Sequence, residues 1–252
     1  MKTVDVRGLR IGEGIPKICV SLMGKSVREL KQKAEMLKDA GVDLAEWRVD
    51  WFDDWSHPSK VLEALNELRS ALGELPLLVT FRSKKEGGEA EITGEQYKKL
   101  YEIVVNSGYA DLIDLELFFD SAVVSDLISL AKNYGVKTVL SNHDFERTPE
   151  KEELIRRLKN MEQLGADIAK IAVMPEKPAD VALVLGSTAA ASNELSCPII
   201  TMAMGGLGVI SRMAGQVFGS AVTFAALGTV SAPGQVPLEK LKEVLELVDS
   251  LQ

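Results

Sequence analysis

Short apolar runs rich in branched residues recur along the chain, and the intervals between them carry apolar residues at helical spacing. The runs predict strands over 18–21, 44–50, 77–82, 112–117, 138–143, 168–174, 199–204 and 222–227. Start and stop signals predict the helices. Ser26 and Glu29 make a capping pair ahead of Val27, Leu30, Ala34 and Leu37, with Gly41 beyond the end. Thr93 and Gln96 do the same ahead of Tyr97, Leu100, Tyr101 and Val104, with Gly108 as the stop. Thr148-Pro149 offers an N-cap and a first-turn proline before Leu154, Leu158 and Met161. Leu241, Val244, Leu245 and Val248 stripe a last helix.

Eight strands, each followed by a helix, in 252 residues predict an α/β protein of the (β/α)8 TIM barrel class. A doubly wound open sheet is the competing architecture, but no strand, Gly-rich turn and helix fingerprint opens the chain. Val4–Val6 and Leu9–Ile11, joined around Arg7-Gly8, predict an N-terminal β-hairpin closing the bottom of the barrel. No linker or low-complexity tract interrupts the pattern, so one domain over 1–252 is expected.

Composition removes several classes of function. A net charge of −8 without a basic run argues against nucleic acid as a partner. Arg156 and Arg157 fall on a Glu-rich helix and read as a solvated face. With only His57 and His143, a multi-histidine zinc site is ruled out. Cys19 and Cys197 lie in or beside apolar runs, where reduced core thiols are expected. No apolar stretch approaches the roughly 20 residues of a membrane span, and the N-terminus has no signal-peptide core. A soluble, cytoplasmic protein is the expectation.

Strand parity then sorts the polar residues. In a barrel alternate residues point inward, and function gathers at the C-terminal strand ends. Glu46, Arg48 and Asp50 share one face of the second run, Thr80 and Arg82 one of the third, and Asp114 and Glu116 one of the fourth. Ser141 and His143 end the fifth run, Lys170 lies in the sixth, and Met202 and Met204 end the seventh. An ordinary core would not accept such a set of ionisable groups. Their convergence predicts a pocket.

Other residues have blander readings beside the functional ones. By composition Glu86, in a charged glycine-containing loop, reads as a solvated carboxylate; functionally it could orient a histidine. Gly205-Gly206-Leu207-Gly208 reads as a flexible turn into the helix carrying Arg212 rather than a phosphate cradle. His57 reads as an exposed residue at a helix entrance with no catalytic part, and Met202 and Met204 as core filler.

Lys170 is the sharpest single feature. It sits inside Ile168-Ala169-Lys170-Ile171-Ala172-Val173-Met174, a run apolar enough to be a buried strand. An ammonium there must find partners or lose its proton. Tuning a lysine from about 10.4 to 7–8 costs roughly 4 kcal/mol, a large share of the 5–15 kcal/mol that holds a domain together. The leading use of such an amine is attack on a carbonyl to form a Schiff base. The alternative is a strand-edge lysine snorkelling into water.

These blocks together resemble a known family. Glu46-Trp47-Arg48-Val49-Asp50, Thr80-Phe81-Arg82-Ser83 with Glu86-Gly87-Gly88, and Ser141-Asn142-His143-Asp144-Phe145 are three of them. Lys170-Ile171-Ala172-Val173-Met174-Pro175, Gly208-Val209-Ile210-Ser211-Arg212 and Ser231-Ala232-Pro233-Gly234-Gln235 complete the set. In this order, along essentially the whole chain, they look like the type I 3-dehydroquinate dehydratases, the Schiff-base dehydroquinases of the shikimate pathway.

The resemblance implies an α/β barrel lyase, a hydro-lyase of aromatic amino acid biosynthesis, that converts 3-dehydroquinate to 3-dehydroshikimate by syn elimination. It implies no metal and no organic cofactor, and a homodimer. By the same carry-over Lys170 forms the imine, His143 is general base and then acid, and Glu86 orients His143. Ser21, Glu46, Arg48, Arg82, Arg212, Ser231 and Gln235 would bind hydroxyls and the carboxylate, with Met202, Met204 and Phe224 as apolar walls. Ala169 stands where relatives often have proline, which touches no proton-transfer group. A class I aldolase and a non-catalytic binder of an acidic metabolite are the rival readings.

Overall fold

The computed structural model describes residues 2–228 and 231–251. Two short strands, β1 (Val4–Val6) and β2 (Leu9–Ile11), form a separate two-stranded sheet, as the pattern predicts. The turn between them has positive φ at both Arg7 (49°) and Gly8 (78°), the demand of a tight hairpin turn. Arg7 is the one non-glycine with positive φ among the described residues, and its guanidinium is tied to Asp111 (2.6 Å) and Glu74 (3.2 Å).

The larger sheet begins with β3 (Lys17–Leu22), β4 (Leu44–Arg48), β5 (Leu77–Thr80) and β6 (Leu112–Glu116). It continues with β7 (Lys137–Asp144), β8 (Ile168–Val173), β9 (Ile199–Ala203), β10 (Val222–Ala226) and the two-residue β11 (Val236–Pro237). Helices alternate with them: α1 (Val27–Asp39), α2 (Pro58–Leu72), α3 (Gly94–Asn106), α4 (Ser121–Tyr134) and α5 (Lys151–Gln163). After these come α6 (Pro178–Glu194), the short α7 (Val209–Met213) and α8 (Gly215–Phe218), and α9 (Leu238–Ser250). The strand-then-helix order of the (β/α)8 class is present. No helix among the described residues is long and apolar enough to cross a membrane.

The chain forms two compact units, and β3 and β7 contribute one half to each. One unit comprises Val6–Leu9 and Val20–Leu140, with strands ordered β3-β4-β5-β6-β7. Its register pairs Arg48 with Thr80 and Thr80 with Asp114, all parallel, which aligns the polar positions on one face. Trp47, Val79 and Ile113 align on the other, each fully buried. The second unit comprises Met1–Asp5, Arg10–Cys19 and Ser141–Gln252. In it β7-β8-β9 run side by side, β3, β10 and β11 pair in turn, and a parallel bridge joins Ile199 to Ser220.

Local chemistry explains the element ends. Ser26 Oγ accepts from Glu29 N–H, while the Glu29 carboxylate accepts from Lys25 N–H one residue earlier than a full capping box would place it. Thr93 and Gln96 make the reciprocal box. Three expectations need correcting. The strand expected over 44–50 stops at Arg48 and turns through a 3-10 turn at Val49–Trp51, because the Asp50 carboxylate is drawn to backbone and side-chain donors beside it. Helix α5 starts at Lys151 with Glu150 as N-cap, because the Thr148 hydroxyl instead donates to the Met174 carbonyl (2.9 Å). Strand β11 was missed: two residues ending in Pro237 carry no periodicity to read.

Candidate active site

The polar face of the unit spanning Val20–Leu140 is a network of carboxylates and two arginines. Glu46, buried on β4, accepts from the Ser21 hydroxyl (2.5 Å) and the Thr80 hydroxyl (2.9 Å). Asp50 accepts four hydrogen bonds. Two come from the Arg48 fork (2.8 and 2.7 Å), one from Arg82 N–H (3.2 Å) and one from Glu89 N–H (3.1 Å). Burial disfavours the Arg48 cation, yet the Asp50 hydrogen bond and charge outweigh it, so its pKa sits above the usual arginine value. The Arg48 bonds to Asp50 use Nε and Nη2, which leaves Nη1 for a ligand.

Arg82 is held more tightly still. Nη2 donates to Asp114 (2.7 Å), and Nη1 to Glu116 (2.9 Å) and, at 3.4 Å, to Glu86. Burial again works against the cation, and Asp114, Glu116 and Glu86 reverse it, raising the pKa well above normal. Glu86 closes a 3-10 turn at Lys84–Glu86 and is buried, not solvated as its loop composition suggests. The loop folds back because Gly88 lies against the Arg82 carbonyl; a Cβ there would stand 1.8 Å from that oxygen. Glu116 fastens the loop by also accepting from Ser83 N–H (2.8 Å).

The other unit carries the amine. Lys170 is 4% exposed on β8, and its Nζ stands 4.6 Å above the ring centroid of Phe224 on β10. Register pairs Ala172 with Met202 and Lys170 with Ile200, so Met202 shares the face of Lys170. His143 is half-buried on β7, the neighbour of β8. Met204 is buried just beyond β9.

Arg212 differs from the other two site arginines. It is 2% exposed on α7, donating to Met202 Sδ (3.4 Å) and the Pro233 carbonyl (3.1 Å), while its buried Nε has no partner. No carboxylate among the described residues pairs with it, and burial alone pushes its pKa down to about 10. A buried guanidinium in this state suits an anionic ligand with two oxygens.

The loop at 231–235 docks onto the turn before α7. Gly205 N–H donates to the Pro233 carbonyl (3.1 Å), and Ser231 and Gln235 bond each other twice at 2.8 Å. Gly234 has φ +76°, and a Cβ on it would lie 2.2 Å from the Gly205 carbonyl oxygen. Gly234→Ala should therefore undock this loop and raise KM by roughly tenfold with kcat less affected, given 1–3 kcal/mol of local strain. Unchanged steady-state constants would contradict that packing. His57 is an exposed helix N-cap, as read from sequence.

Among the residues that sequence reasoning brought to these faces, Asp50, Asp114 and Glu116 were given no role; their i, i+2 spacing was the available signal. Arg157, taken for a solvated residue, is nearly buried at 11% side-chain exposure, and only its helical position facing β7 could have shown it. Comparison with known proteins gives a consistent result. Residues 18–252 match the model of the type I 3-dehydroquinases. The 3-dehydroquinate dehydratase of Listeria innocua is 51% identical over 248 residues, covering 98% of each chain. A crystal structure of the type I enzyme of Clostridium difficile, with covalently modified comenic acid, superposes with a TM-score of 0.98 at 46% identity over 100% of both chains. The Geobacillus kaustophilus 3-dehydroquinate dehydratase gives 0.96 at 41% identity, covering 99% of this chain and 97% of that one. The chain belongs to the type I 3-dehydroquinase family.

Proposed function

We propose that this protein is a hydro-lyase that dehydrates 3-dehydroquinate to 3-dehydroshikimate through an imine on Lys170. One observation carries the reading in a chain of this family: a lysine amine enclosed by the fold, seated over an aromatic ring instead of in water. The amine adds to the ketone, and loss of water gives an iminium. That cation is the electron sink which lets an imidazole remove a poorly acidic proton from the adjacent carbon. His143 takes the proton, giving an enamine. The enamine then expels the β-hydroxyl while His143 returns the proton to it, and water departs. Hydrolysis of the remaining iminium frees the product and Lys170. One water enters and two leave, a net dehydration.

The binding roles divide by charge state. Arg212, which lacks a carboxylate partner, takes the substrate carboxylate. Arg48 offers Nη1, and Ser21 with Glu46 and Ser231 with Gln235 offer hydroxyl and amide groups for substrate hydroxyls. Arg82, surrounded by three carboxylates, serves substrate through Glu86, the carboxylate assigned to orienting the histidine. Met202, Met204 and Phe224 supply apolar walls. Family membership supports a shikimate-pathway role in a cytoplasmic homodimer without metal or organic cofactor.

Added 3-dehydroquinate should give rising ultraviolet absorbance from the conjugated product. Borohydride added during turnover should leave a reduced adduct, read by mass, on the peptide containing Lys170. Turnover with no trapped adduct would defeat the imine; neither signal would defeat the assignment.

A further inference from the structure

We infer that Arg157 is a positioning residue for the strand end that carries His143, an inference that rests on the acid–base role proposed for that histidine. Alternation along β7 puts His143 on one face and its two neighbours, Asn142 and Asp144, on the other. Both neighbours meet the same guanidinium. Arg157 Nη1, reaching over from α5, donates to Asn142 Oδ1 at 2.7 Å and lies 3.7 Å from Asp144 Oδ2. The fork is itself fixed from behind, since Nε donates to Glu153 Oε1 at 2.7 Å one helical turn away. A planar guanidinium can serve these acceptors together, as a single ammonium cannot.

Asp144 is locked from its other sides too. Its carbonyl accepts from Met174 N–H (2.9 Å), and its Oδ1 accepts from Glu146 N–H (3.2 Å) and Arg147 N–H (3.1 Å). The segment 142–144 is thus clamped on the side away from the imidazole. An acid–base group that must take a proton and return it at a second position needs this fixity. Displacement of about 1 Å by a change remote from the chemistry can cost on the order of 100-fold in rate.

The test uses the full-length protein with Arg157→Met, Arg157→Lys and Asn142→Ala, each scored per active site titrated by borohydride trapping on Lys170. Arg157→Met should lower kcat about 10–100-fold with KM changed less than about threefold, and should still accumulate the trapped adduct. Arg157→Lys should recover only part of the loss. A merely structural Arg157 would lower Tm and the number of trappable sites while leaving kcat per trapped site within about twofold of the parent, and that result overturns the inference. If Arg157→Met does not fold, Asn142→Ala removes a single acceptor and leaves the Glu153 pair in place. Its kcat per trapped site should fall several-fold, and an unchanged value overturns the inference as well. His143→Ala separates the two claims: full turnover there defeats the acid–base role itself, whatever the Arg157 variants do.

Discussion

Lys170→Met should abolish turnover, with kcat down by at least about 10⁴ and no borohydride adduct, while the protein folds with an equal or higher Tm. The loss of rate is expected because no other group in the proposed sequence can form the iminium; without it His143 faces a carbon acid it cannot ionise usefully. The retained stability follows from the site. Enclosing an amine carries a desolvation cost that an apolar side chain of similar size does not incur. Methionine keeps most of the volume and removes the charge. Thermal melting beside a turnover assay checks both halves. A sharp fall in Tm would mean that the amine's surroundings stabilise it fully, and residual imine trapping would mean a different lysine reacts.

Arg212→Met should raise KM about 100-fold or more, with a smaller effect on kcat, and should not lower Tm. A charge-assisted pair to a carboxylate is worth about 1.5–3 kcal/mol or more when buried, which sets the scale of the KM change. The sign of the stability effect comes from the pKa of about 10, pushed below the ordinary arginine value by burial. The fold disfavours the charged form, so the penalty, on the order of 3 kcal/mol, is present at neutral pH and fades only as the solution rises past about 10. A carboxylate ligand relieves it. Product or an analogue should therefore raise the Tm of the parent protein and leave that of Arg212→Met nearly unmoved. A variant with parental KM would transfer the carboxylate to Arg48.

Much of this was legible in the sequence because strands have a period of two. Glu46, Arg48, Thr80 and Asp114 could be put on one face from spacing alone, and the register of β4, β5 and β6 does so. Lys170 was legible because a charge inside a β-branched run has few structural explanations. The misses share a cause: they depend on contacts remote in sequence. Glu86 reads as solvated until Gly88 folds its loop onto Arg82. Arg157 reads as solvated until α5 is laid beside β7. The start of α5 was misplaced because Thr148 is engaged by a carbonyl 26 residues away. Composition also cannot say that Arg82 comes with three carboxylates and Arg212 with none.

The sharing of Asp50 has a consequence for redesign. One carboxylate fixes the aim of the Arg48 side chain and also the main chain at Arg82 and Glu89, the two ends of the stretch that holds Glu86. Under the roles proposed for Arg48 and Glu86, selectivity and proton handling are therefore mechanically linked. An engineer who re-aims Arg48 toward another acid will also shift the Glu86 stretch, unless a new acceptor for those two amides is built first.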